Sequence, residues 1–139
     1  MSKYEYRPLP EGSIRLLRIE PNTDQGAPIE CKVLVCPVLN SGRTSLYEAL
    51  SYVWGSQEKR RSIRIGGHEF PVGENLFSAL LALRDPHLDR IVWIDAICIN
   101  QEDNTEKGYQ VQTMARVYAQ ARGVVVWLGA GTLNASKAI

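Results

Sequence analysis

The run Trp93–Gln101, WIDAICINQ, constrains this chain more than any other stretch. It is almost continuously apolar, with one carboxylate, Asp95, in its middle and two amides, Asn100 and Gln101, at its exit. Apolar runs of this length belong to strands buried on both faces, as in a sheet covered by helices. A buried charge is costly unless it is paired or used. A core strand over 91–99 therefore leaves Asp95 in need of a reason.

The rest of the chain supplies a layered context for such a strand. Ser13–Glu20 (SIRLLRIE) and Ile29–Val38 read as two strands. The second alternates apolar and polar residues as a half-exposed strand does, and the pair is expected to form an antiparallel N-terminal hairpin. Residues 21–28 between them are rich in Asn, Asp, Gly and Pro, a loop signal. Residues 1–12 are an extended polar lead-in. Tyr47–Trp54 is the next strand, ended by Gly55. Ile63–Ile65, Gly66-Gly67 and Phe70–Val72 predict a hairpin with a two-residue glycine turn.

Two helices are expected. The first starts at an Asn75 N-cap, carries Leu76, Leu80 and Leu83 as a stripe, and is closed by Pro86. The second runs from Glu106 to Ala121, with Val111, Met114, Tyr118 and Ala121 on one face. Asp103 and Glu106 before it have capping-box spacing. Residues 123–129 (GVVVWLG) form another buried strand. The alternation of strands and helices predicts an α/β layered domain, flavodoxin-like, with a central mostly parallel sheet. The N-terminal hairpin and the Gly-Gly hairpin are antiparallel additions to it. A single domain over 13–139 suits a chain of 139 residues.

Composition excludes several functions. A formal net charge of +1 offers no basic excess for a dedicated nucleic-acid binder. Cys31, Cys36 and Cys98 are too few and too scattered for a disulfide framework, and with only His68 and His87 they show no zinc spacing. Reduced thiols in a cytoplasmic protein are the simplest account. The N-terminus has no apolar signal region, and no apolar run is long enough to span a bilayer.

The segments YEALSYVWG (47–55), NLFSALLALR (75–84), WIDAICINQED (93–103) and QVQTMARVYAQARGVVVWLG (110–129), in that order, closely resemble the HET domain, the heterokaryon incompatibility domain of filamentous fungi. The resemblance extends to the lead-in YRPLP and to SIRLLRI and PIECKV, and so covers almost the whole chain. It implies a trigger of regulated cell death in nonself recognition between fungal individuals. HET domains often head larger proteins and continue with a helix where this chain stops, so the C-terminal part is expected to be truncated. More distantly, the family resembles Toll/interleukin-receptor (TIR) domains, some of which cleave NAD. By that fold-level analogy the fold is TIR-like and the chain an NAD glycohydrolase, with NAD as substrate rather than cofactor.

Each candidate residue carries two readings. Asp95 either acts at a strand exit, where open α/β sheets bind ligands, or pairs with a buried Arg or backbone N–H groups. Glu106 either stabilises oxocarbenium character in NAD cleavage or caps a helix. Ser51, Tyr52, Trp54 and Gly55 approach a turn that opens beside Asn100 and Gln101 if the sheet is parallel there, giving a ligand pocket. Trp54 is otherwise core. Cys98, between Ile97 and Ile99, is a packed residue with no activating base near it in sequence. Two mechanisms follow: catalytic hydrolysis at the strand exits, or a non-catalytic signalling module acting by homo-oligomeric assembly or through a partner such as an upstream sensor domain.

Overall fold

The computed structural model describes residues 2–38, 46–53, 58–59 and 61–128, and the backbone of 135–137. Its elements, in chain order, are β1 (Ser13–Ile19), β2 (Glu30–Pro37), β3 (Glu48–Tyr52), β4 (Arg61–Ile65), β5 (His68–Val72), α1 (Glu74–Leu83), β6 (Arg90–Trp93), α2 (Asp95–Cys98), α3 (Asn104–Gln120), β7 (Val124–Trp127) and β8 (Ala135–Lys137). All the strands join one eight-stranded sheet in the order β5-β4-β2-β1-β6-β3-β7-β8.

The domain is α/β, but the sheet is mixed rather than mostly parallel. β6, β3 and β7 are parallel neighbours, as the helical connections between them require. β1 pairs antiparallel with both β2 and β6, and β4–β5 and β7–β8 are also antiparallel. The reason lies in β1. Ile14, Leu16, Leu17 and Ile19 are all at most 2% exposed, so this strand is apolar on both faces and has to sit inside the sheet. The N-terminal hairpin therefore supplies two interior strands of the sheet and is not an appendage. The Gly-Gly hairpin then joins the far side of β2 through a short parallel pairing, Glu30↔Arg64 and Cys31↔Ile65. An Arg64–Glu30 ion pair of 2.9 Å spans that junction.

The lead-in is extended, and it is anchored. Tyr4 N–H donates to the Glu69 carbonyl and Glu69 N–H to the Ser2 carbonyl, each at 2.8 Å. Tyr4 and Tyr6 pack edge-on against each other and against Phe70. Just before β5, Gly66 and Gly67 have φ of 58° and 81°, so the expected two-residue glycine turn is present with both residues left-handed. Gly67→Ala is expected to cost about 1 kcal/mol from the left-handed backbone alone, since nothing lies within 4 Å of the added Cβ. Urea unfolding would check it.

α1 buries Leu76, Ala79, Leu80 and Leu83, the predicted stripe. Its N-cap is Gly73, not Asn75. Asn75 instead donates its side-chain amide to the Val53 carbonyl at 2.9 Å, tying the helix to the chain leaving β3. Beyond the helix, the buried Arg84 donates to the carbonyls of Asp24, Ala27 and Pro28, which satisfies the loop between β1 and β2.

α3 turns a narrow and partly polar stripe inward: Gln110, Val117 and Gln120 are buried, with Met114 and Tyr118 packed against the core. Val111, expected on that face, is 52% exposed. It follows Gln110 and so lies about 100° further round the helix, and the inward place goes to Gln110, whose amide donates to the Ser13 carbonyl at 3.2 Å. Tyr47 OH donates to the Val117 carbonyl at 2.6 Å, and the Trp93 and Tyr118 rings meet edge-to-face at 5.5 Å. Alternation along β3 and β6 then assigns Tyr47, Ala49 and Trp93 to the α3 face.

Candidate functional site

The strand predicted over 91–99 stops at Trp93. Ile94 is extended, and the chain then turns into the single helical turn α2, with Cys98 N–H and Ile97 N–H donating to the Ile94 carbonyl at 2.7 and 3.1 Å. Asp95 opens this turn rather than standing in mid-strand. The backbone N–H groups of Ala96 and of Asp95 itself favour its charged form, the local interaction by which Asp diverts a backbone from strand to turn. Burial pushes its pKa above the usual carboxylate range, against the pull of those two groups.

Because β3 and β6 are adjacent and parallel, with Ala49 opposite Trp93, Tyr52 and Asp95 lie at the same, carboxyl edge of the sheet. Burial raises the Tyr52 phenol first, and the Asp95 charge raises it further; the same two causes act on Tyr118. Two tyrosines, one from β3 and one from α3, are thus close enough for the Asp95 charge to act on them. The Gln101 side-chain amide donates to the Asp95 carbonyl at 2.8 Å. Ser51 is exposed. Trp54 and Gly55 lie outside the described residues.

A second network sits next to the first and takes in Glu106. Arg15, on β1, makes a bidentate pair with it, Nη1–Oε2 at 2.6 Å and Nη2–Oε1 at 2.8 Å. The two side chains are 3% and 10% exposed. Arg15 also donates to the carbonyls of Cys98, at 3.2 Å, and Arg7, at 2.9 Å. Asn100 N–H donates to Glu106 Oε2 at 2.7 Å, and Tyr6 OH donates to the Ile97 carbonyl at 2.6 Å. Burial raises the Glu106 pKa, but the Arg15 hydrogen bond, the Asn100 N–H and the Arg15 charge outweigh it, and the carboxyl ends below its usual range.

Half of the expected capping box is present. Asp103 accepts from Glu106 N–H at 3.1 Å, while the Glu106 side chain goes to Arg15 and Asn100 instead of back to the cap. Lead-in, β1, α2, the 99–103 loop and α3 are thereby held through one carboxylate. Arg15 and Tyr6 were not singled out from the sequence. The signal for Arg15 was present: of the two guanidiniums inside SIRLLRI, the one between Ile14 and Leu16 faces the same burial cost as Asp95, and the buried Arg sought for Asp95 is the partner of Glu106.

At the opposite edge, the buried Glu48 is paired, to Arg90 at 2.9 Å and Arg122 at 3.4 Å. Cys98 is fully buried, its thiol pushed up to about 12 chiefly by burial, and its Sγ accepts from Ile94 N–H at 3.4 Å. It is a packed residue. Among the described residues, no group of three His, Cys, Asp or Glu side chains is placed to hold a metal ion, and no helix is long and apolar enough to cross a membrane.

Residues 47–139, which contain β3, Asp95, Asn100 and Glu106, match the family described as Heterokaryon incompatibility protein (HET). The chain belongs to the HET family. It is also 36% identical to Heterokaryon incompatibility protein 6, OR allele, of Neurospora crassa, over 86% of this chain and 19% of that protein. The chain thus spans about a fifth of the length of that relative. No solved structure matches it. In this HET domain the matched segment begins after β1 and β2, so the Arg15–Glu106 pair joins the N-terminal strands to the family segment.

Proposed function

We propose that this HET domain is a cell-death effector module of fungal nonself recognition that acts without catalysis of its own, by assembling with further copies or with a partner such as a sensor domain. The observation that carries the reading is the condition of Glu106. Both of its oxygens are committed, to Arg15 and to Asn100 N–H, and its proton affinity is lowered. A carboxylate held this way is a strut: three of its roughly four acceptor sites are taken. An apolar contact surface lies at the same sheet edge. Val53 and Leu128 follow the paired positions Tyr52↔Trp127 of β3 and β7 and are 55% and 60% exposed.

The test is a pair of substitutions, Val53→Asp and Leu128→Asp, read in fungal cells for toxicity and in purified protein for oligomer formation. Both activities are expected to fall together while the fold persists. A protein that stays monomeric at high concentration and still kills would overturn the reading.

One observation favours a TIR-like, NAD-hydrolysing alternative: Asp95, half-buried and raised in pKa, stands at the carboxyl edge of three parallel strands, where open α/β sheets bind ligands. Tyr52, Ser51, Asn100 and Gln101 would be the ligand contacts of that alternative, with Glu106 supporting them. NAD incubated with the assembled domain is expected to remain intact. Depletion that disappears in Asp95→Asn would replace assembly with catalysis.

A further inference from the structure

β4 covers only the start of the outer edge of β2. Glu20 N–H donates to the Glu30 carbonyl at 2.9 Å and Val38 N–H to the Gly12 carbonyl at 2.8 Å. In an antiparallel pair, hydrogen-bonded positions alternate with positions whose backbone groups point away from the partner. Given the register Ile19↔Cys31, Leu17↔Val33 and Arg15↔Val35, Cys31, Val33 and Val35 therefore turn their N–H and C=O groups away from β1. Cys31 meets β4, and its carbonyl accepts from Gly66 N–H at 2.9 Å. There β4 ends, because the left-handed pair Gly66-Gly67 reverses the chain. Val33 and Val35 are left with no backbone partner on that side among the described residues. An open edge of this kind is a template for a further strand.

The edge opens into a cleft of about 780 Å3, walled by lead-in residues 2–8 and closed at one end by Ile65, Gly66 and His68. A walled edge suits a single extended segment better than the sheet of a second copy. Val35 is 52% exposed and offers that segment an apolar contact. Of the charged residues lining the cleft, Arg15 is committed to Glu106, and Lys32 lies 3.7 Å from Glu20. Lys3 and Arg7 are exposed and have no ion pair among the described residues; only Glu5 opposes them in the lining, so positive charge is in excess. We propose that the free edge of β2 captures an acidic, extended peptide segment of a partner protein. The segment adds a strand beside Val33 and Val35 and sets carboxylates against Lys3 and Arg7. The inference deepens the partner-binding reading and rests on it for its biological meaning. Its test reads binding and not cell death, so the two fail separately.

The experiment titrates the purified, isotope-labelled chain with end-blocked heptapeptides, followed by NMR. One peptide alternates valine and glutamate, one alternates valine and lysine, and one is the glutamate peptide N-methylated at every peptide nitrogen. The glutamate peptide is expected to bind saturably and to slow hydrogen exchange at the Val33 and Val35 amides, which face outward in the free chain. It should bind about tenfold more tightly than the lysine peptide, and the N-methylated peptide should not bind. Val35→Pro deletes one outward N–H at an edge position, where proline is tolerated, and is expected to weaken binding about tenfold. Lys3→Glu/Arg7→Glu alters two exposed side chains; it should keep the fold and reverse the preference between the two charged peptides. No saturable binding, equal binding of the two charged peptides, capture of the N-methylated peptide, or indifference to both variants would overturn the proposal. Exchange protection at Val33 and Val35 that rises with protein concentration alone would give the edge to a second copy, and would overturn it too.

Discussion

Arg15→Met is expected to destabilise the domain by about 3–5 kcal/mol, the cost of leaving one member of a buried ion pair without its partner. The Glu106 carboxylate loses both guanidinium bonds, and the carbonyls of Cys98 and Arg7 each lose a donor. Small domains have about 5–15 kcal/mol in total, so the variant should unfold far earlier in urea. The double variant Arg15→Met/Glu106→Leu is expected to recover part of the loss, because it removes the stranded charge as well. A double variant as unstable as the sum of the two single ones would show that the pair is not coupled.

The same pair sets a pH dependence. The folded-state pKa of Glu106 is below its ordinary value, so its contribution to stability is fully present above about pH 4.3. It is lost as the pH falls from there through the folded-state value. Glu106→Gln should flatten the acid side of the stability profile in that window and leave the neutral side parallel to the parent. An unchanged acid profile would remove Glu106 from the role given to it here.

Trp93→Ala is the second large effect, expected to cost about 3–5 kcal/mol. Trp93 is 0% exposed and packs on Tyr118, so alanine leaves a cavity that a close-packed sheet and helix cannot collapse. Trp93→Phe should cost much less. It retains an aromatic ring against Tyr118, and it deletes a buried indole N–H that has no hydrogen-bond partner among the described residues. Thermal and denaturant unfolding of the two variants checks the ordering. If alanine and phenylalanine cost the same, the loss comes from something other than volume and ring contact.

Much of the fold was legible from local pattern. The glycine hairpin, the Leu76–Leu80–Leu83 stripe, the antiparallel β1–β2 pair and the parallel trio β6, β3 and β7 all follow from periodicity, turn chemistry and connection length. The WIDAICINQ segment divides into a strand ending at Trp93 and a helical turn from Asp95, because a short apolar run is compatible with either strand or buried turn. Asp95, with its own preference for local backbone bonding, was the residue that marked the break. The polar site was less legible. Asp95, Asn100, Gln101 and Glu106 attract notice by residue type, but ion pairs form between residues far apart in sequence, and Arg15 and Glu106 are separated by 91 positions.

By itself, the sequence determined the class of domain and the family, because helix and strand periodicities and the order of the four motif segments are one-dimensional properties of the chain. It also determined that Asp95 needed a partner or a use, since burial of a charge follows from its apolar neighbours. Which charges pair was decided only by tertiary structure. The burial of β1 on both faces inserted the N-terminal hairpin into the sheet, made that sheet mixed, and carried Arg15 to Glu106. Asp95 was left close enough to Tyr52 and Tyr118 for its charge to act on both, its pKa raised by desolvation rather than lowered by a cation.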